Sequence, residues 1–224
     1  MFIGHIAVAF AAKKAAPKAS LGTYFIAAQL VDMMWPLLLL LGVEHVRIDP
    51  GNTLMTPMDF YDYPITHSLL GGLGWAVLAG GLYYSVRKDK RTSLVIAAVV
   101  LSHWVLDVAS HRPDMPLWFG DSPKLGLGLW NSMVGTLIVE IGLFAAGIWA
   151  YVSVTEPKNR TGSMALWVLI GFLSVAYLAN SFGPPPPSVE MVAYSGLSFW
   201  LLSLWPYWID RNRGIKHQTS NTKS

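Results

Sequence analysis

The residues able to do chemistry concentrate in "SHWVLDVASHRPD", residues 102–114. His103, Asp107 and His111 follow one another at intervals of four residues. At about 100° per residue, that spacing lays their side chains along one slowly drifting helical stripe. Asp114 would nearly continue it, but Pro113 breaks a helix first. His5, Asp32, His67 and Glu140 lie in or beside four other apolar runs. A charge at the centre of a membrane helix costs roughly 2.5–3.5 kcal/mol on insertion scales. These side chains should therefore face one another rather than lipid. Counted along their runs, Asp32, His103 and Glu140 fall near mid-membrane. His5 precedes Lys13 by eight residues. It thus reaches ~12 Å inward, against an apolar half-thickness of about 15 Å. Asp107, His111 and His67 extend the set towards the opposite face, as a funnel.

Imidazoles and carboxylates are the usual ligands of zinc, and nitrogen/oxygen sites also suit manganese or iron. Cysteine is absent, so thiolate sites and disulfides are excluded. The same residues suit a proton relay or the binding of a transported ion. A lone intramembrane Asp or His more often only hydrogen-bonds a neighbouring helix. The shared depth of Asp32, His67, His103, Asp107 and Glu140 favours a common site. Arg112 suits a phosphate partner, with an interfacial arginine at a helix end as the plainer reading. Asp114 joins Arg112 as a candidate for substrate contact. The segment 112–130 reads as a lid over the funnel or as an interfacial turn with Trp anchors.

The elements that must position these residues belong to a membrane protein. The 224 residues are 53% hydrophobic and only 13% charged, with a mean hydropathy of +0.43. A soluble domain carries about 25% charged residues. Runs near the ~20 residues needed to span occur at 20–43, 66–86, 92–111, 128–152, 163–182 and 188–209. The shorter run 2–12 is followed, not led, by Lys13 and Lys14. It reads as a half-helix shielded by the bundle rather than a signal peptide. The expected fold is an all-α, polytopic bundle of six transmembrane helices plus this N-terminal half-helix. One membrane domain covers 1–210, with the site in about 1–145, packing or oligomer surfaces in about 163–209, and a short basic tail at 211–224.

Charge sets the expected orientation. Thirteen of the 16 basic residues flank alternate span ends, leaving Arg47, Arg112 and Lys124 for the other side. The positive-inside rule then places both ends of the chain in the cytoplasm. The net charge of +3 reflects these loops rather than a nucleic-acid partner, and the basic tail reads as an anchor beside anionic lipid.

"GHIAVAF" at 4–10, Asp32 before a Trp-Pro, "THS" at 66–68, "SHWVLD" at 102–107 and Glu140 resemble the membrane-bound metal-dependent hydrolases. These are also described as LexA-binding inner-membrane hydrolases. The resemblance spans roughly residues 1–145 and rests on the order and placement of short motifs. That family is in turn similar to the zinc-dependent phospholipase C and zinc single-strand nuclease group, all-helical enzymes with clustered zinc. The resemblance implies metal ligands at His5, Asp32, His67, His103, Asp107, His111 and Glu140. Where the group's last ligand pair has a histidine, this chain has Thr136, and its first residue is Met1. One or two zinc ions therefore fit better than three. It also implies a bacterial or archaeal cytoplasmic membrane.

The leading expectation is a metal-dependent hydrolase of a membrane-accessible phosphoester, lipid included, with Asp107 or Asp32 as ligand or general base. The alternative is a proton- or metal-ion-coupled transporter built on the same residues, although no inverted repeat is evident. A scaffold with a structural metal is the third reading. Gly-x-Ser-x-Gly, P-loop and dinucleotide motifs are missing, which disfavours those classes.

Overall fold

A computed structural model describes residues 1–216. Helix α1 (Ile3–Ala15) is buried on almost every side and packs against α2 (Leu21–Leu40), α5 (Lys90–Ser110) and α6 (Met133–Val154). Small residues allow this. A side chain at Gly147 of α6 would collide with the Ala7 carbonyl of α1. The two backbones therefore meet directly, as in other tight helix pairs within membranes.

A strand pair, β1 (His45–Ile48) and β2 (Met58–Asp62), follows α2. The one-turn α3 (Pro64–His67) then leads into α4 (Leu69–Arg87), which lies against α5. After α5, β3 (Met115–Pro116) pairs with β4 (Lys124–Leu125). Beyond α6, β5 (Thr155–Pro157) precedes α7 (Arg160–Phe182), α8 (Val189–Leu202), α9 (Leu204–Arg211) and β6 (Arg213–Ile215). Most helix starts have a local cause. Ser20, Ser68, Asp89, Ser132, Asn159 and Ser188 each accept a hydrogen bond from the backbone N–H three residues on, satisfying a donor that the helix itself leaves free.

The mainly helical architecture agrees with the all-α expectation, with short strand pairs added in the loops. Five helices, α2, α4, α5, α6 and α7, are long and apolar enough to cross a membrane. The expected sixth span, 188–209, divides at Ser203 into α8 and α9. Pro206 gives the reason. It offers no N–H, and its ring crowds the carbonyl four residues back, at Leu202, where α8 stops. Pro36 of α2 is instead carried inside a continuing helix, with Gly196 of α8 against its ring.

The four basic segments gather on one face. Lys18 pairs with Asp89 at 3.2 Å, and hydrogen bonds from Lys18 and Thr92 draw the half-buried Asp89 carboxyl below the usual carboxylate range. Arg91 donates to the Ala15 carbonyl at 2.7 Å, and Lys13 meets Asp210 at 2.6 Å. Antiparallel pairing of β5 with β6 joins the other two segments. Residues 213–215, expected in a basic tail, are thus part of the fold, and Arg213 is buried against Thr155. Residues 217–224 of that tail, including Lys223, lie outside the described residues.

Candidate metal centre

Asp107 is the hub. It stands one turn before the end of α5 and is buried. Its Oδ1 faces His5 Nε2 at 3.0 Å and His111 Nε2 at 4.0 Å. Its Oδ2 faces His103 Nε2 at 3.1 Å and His67 Nε2 at 4.0 Å. Asp32 Oδ1 lies 3.3 Å from His67 Nε2 and 3.4 Å from His103 Nε2. Two groups have ligand atoms mutually within 4.8 Å: His5 with His103 and Asp107, and Asp32 with His67 and His103. Five of the elements named above, α1, α2, α3, α5 and the turn after α5, therefore each send a side chain to one place.

The outward nitrogens fix the ring orientations. His103 Nδ1 lies 2.8 Å from the Ala28 carbonyl. A carbonyl only accepts, so Nδ1 carries the proton. His67 Nδ1 lies 2.7 Å from Thr66 Oγ1, while Thr66 donates its own hydroxyl proton to buried Glu44 at 2.6 Å. Thr66 Oγ1 must then accept from His67. His111 Nδ1 lies 2.9 Å from Asp114 Oδ1. In each neutral ring, Nε2 is left as a lone pair aimed inward at carboxylate oxygens. This is the outer-shell pattern that orients metal-binding histidines.

Acceptors facing acceptors repel, so the arrangement favours a cation among them, and the Met1 ammonium already pairs with Asp107 Oδ1. A proton can bridge His5 Nε2 to Asp107 at 3.0 Å and His67 Nε2 to Asp32 at 3.3 Å, but it fits poorly at His103. His103 Nε2 finds no hydrogen-bond partner in spite of its 3.1 Å approach to Asp107, because the angle is wrong for one. The His5 and His103 rings also stack face to face, 3.6 Å apart and 6° from parallel, an arrangement that two imidazolium charges would oppose. The donor set could hold a divalent metal through nitrogen and oxygen.

Glu140 sits at the edge of this cluster with a separate task. Its Oε2 accepts from the backbone N–H of Phe2 at 2.8 Å and of Gly4 at 3.1 Å. A buried carboxylate thus closes the start of α1, where orphan N–H groups and the helix dipole favour a negative charge. Thr136, where a histidine partner was sought, instead donates to the Leu129 and Ser132 carbonyls. The Met1 amino nitrogen lies 2.5 Å from Asp107 Oδ1.

Arg112 and Asp114 lie one layer out. Arg112 pairs with Asp59 and, at 3.3 Å, with Asp114. Asp59 also binds Arg47 at 2.6 Å. Both arginines of this face are thus held by one buried carboxylate, and Asp114 orients His111. Glu44, Thr66 and Tyr63, whose hydroxyl lies 3.3 Å from both His111 Nδ1 and Asp114 Oδ1, were not singled out by sequence reasoning. A hydroxyl beside a candidate ligand histidine would have been the signal for Thr66; Glu44, 22 residues earlier, carried none.

The cluster forms one end of a cavity of about 400 Å³ whose other walls are Trp35, Phe60, Trp130, Tyr177 and Phe199. The helices expected only to pack, α7 and α8, supply part of that wall. No protein-family model, curated protein or solved structure matches the chain.

Proposed function

We propose that the chain is an integral membrane, metal-dependent hydrolase of phosphoesters. One observation carries the reading: three histidines with outward-anchored Nδ1 converge, through Nε2, on Asp32 and Asp107 at the end of a mainly apolar cavity. Asp107 would be shared by two subsites. Asp32, His67 and His103 lie towards Oδ2, and His5 and His111 towards Oδ1. Zinc suits this donor set best, as one or two ions.

The chemistry supplied by a divalent metal held there is acidification of a water towards pKa ~7 and polarisation of a phosphoryl oxygen. The protein's own groups do the rest. Asp32 is the more exposed carboxylate, at 32% against 3% for Asp107, so it is the one able to take a proton from an attacking water. Trp35, Phe60 and Trp130 exclude bulk water around the reacting group. The orientation follows from the basic face, which the positive-inside rule assigns to the cytoplasm; the site then faces the outer half of the membrane.

A transporter needs a polar route on both sides of its site. Below His5 and His103 the next turns are apolar. Ile6, Phe10, Phe25, Ile96 and Val100 are all buried in one cluster, which supports access from one side only.

The test is metal analysis of protein purified without chelators, followed by reconstitution with a generic phosphoester. Wild type should hold about one or two ions per chain, as the ligand set requires. His103→Ala and Asp107→Ala should lose both metal and hydrolysis. A metal-free wild type, or proton- or metal-driven flux in vesicles without hydrolysis, would overturn the reading.

A further inference from the structure

The cavity that ends at the His/Asp cluster has a second opening and a set of unpaired polar groups. Helices α7 and α8 are consecutive, yet they scarcely pack on each other. Phe2 keeps them apart, with its ring 6.2 Å from Tyr177 of α7 and 5.9 Å from Phe199 of α8. Phe172 lines the cavity and is still 49% exposed. It lies twelve residues from the basic end of α7, or ~18 Å along the helix. The cavity is therefore open sideways at mid-membrane depth, through a cleft between α7 and α8.

Three residues lining that cavity each have a buried side-chain atom without a hydrogen-bond partner among the described residues: Gln29 Oε1, Trp35 Nε1 and Tyr177 Oη. Gln29 and Tyr177 are 1% exposed and Trp35 is 7% exposed. Buried polar groups are normally paired, and an unpaired one calls for an explanation. Here they share one cavity, and two of the three are able donors. The cavity continues outward into a mouth between residues 50–58 and the proline run 184–187. Its polar side chains are Thr53, Thr56, Asn180, Ser181 and Ser195, and no charged residue lines it. The arginines of that face are held by Asp59.

Building on the hydrolase reading, the geometry points to a membrane lipid with a single phosphodiester and an uncharged, hydroxyl-bearing head group as the substrate. The phosphoester lies at the cluster, with Trp35 Nε1–H and Tyr177 Oη–H donating to its oxygens. An apolar chain occupies the α7/α8 cleft. The head group meets the hydroxyls and amide of the outer mouth. Hydrolysis adds water across the phosphoester: one P–O bond breaks, one P–O bond to water forms, and the released alcohol takes the proton. A polyphosphate or nucleic acid would bring several charges into a mouth that has no cation to receive them.

The test uses full-length, metal-loaded protein in vesicles with diazirine-bearing chains on matched lipids whose head groups are glycerol, choline or serine. Adducts should concentrate at the cleft, around Phe172, Ala176 and Phe199, and the glycerol lipid should give several-fold more of them. Tyr177→Phe removes only an unpaired hydroxyl, so its melting temperature should not fall. Its apparent affinity for the glycerol lipid should fall about tenfold, the size of one hydrogen bond to a charged group. Adducts spread evenly over the lipid-facing helices, an equal or greater yield with choline or serine, or unaltered affinity in Tyr177→Phe would each overturn the assignment. Crosslinking at the cleft without hydrolysis of any ester would instead sink the hydrolase reading and leave the lipid site standing.

Discussion

At the residue scale, the controlling fact is where each imidazole spends its Nδ1 proton. His103 gives it to a helix carbonyl, His111 to Asp114, and His67 to Thr66, which passes its own proton to Glu44. The Thr66 link is the most fragile, because a single hydroxyl both accepts and donates. Thr66→Val should lower metal affinity 10–100-fold, the usual effect of losing an outer-shell partner, with Thr66→Ser restoring it. Competition against a chelator of known affinity measures this. Wild-type affinity in Thr66→Val would show that Thr66 only packs. Glu44 remains bonded to the Thr66 backbone N–H at 2.8 Å, so the fold has a second hold on that turn when the hydroxyl is gone.

At the element scale, α1 brings His5 to the site, and Glu140 sets where α1 begins. Glu140→Ala would strand the Phe2 and Gly4 N–H groups in the interior. The cost should be about 1–3 kcal/mol, read as a lower melting temperature and a reduced metal content. Glu140→Gln keeps an acceptor oxygen and should fall between wild type and Ala. Equal stability in all three proteins would mean that α1 is placed by packing at Gly147 alone. Much of this was legible in advance. The interval of four that aligns His103, Asp107 and His111, and the apolar runs of α2, α4, α5, α6 and α7, follow from helical periodicity and span length. The split at Ser203 was not. Run length counts apolar residues, whereas the break depends on what Pro206 does to the Leu202 carbonyl. Glu44 was equally hidden: an acid in a loop carries no periodicity, and only the return of α3 beneath it makes it a partner of Thr66.

At the scale of the whole molecule, the question is which side each face meets. The pairing of β5 with β6 fixes residues 213–215 on the same face as 155–157. The chain must therefore travel from the proline run 184–187, beside the outer mouth, to the basic face within α8 and α9. Helix α8 has 14 residues, or ~21 Å, short of the ~30 Å apolar core. The turn at Ser203 and the eight residues of α9 complete the passage, with Asp210 tied to Lys13, to the Leu21 N–H and to Tyr151. Because the chain has no cysteine, single replacements report side without background. Lys90→Cys and Lys216→Cys should react with an impermeant maleimide only after the membrane is opened. Asp121→Cys and Pro185→Cys should react in intact cells. If Lys216→Cys and Pro185→Cys reacted from the same side, the last two helices would form a re-entrant pair. The cleft between α7 and α8 would then lose its place in the bilayer, and the positive-inside assignment would fail for one of the four basic segments on which it rests.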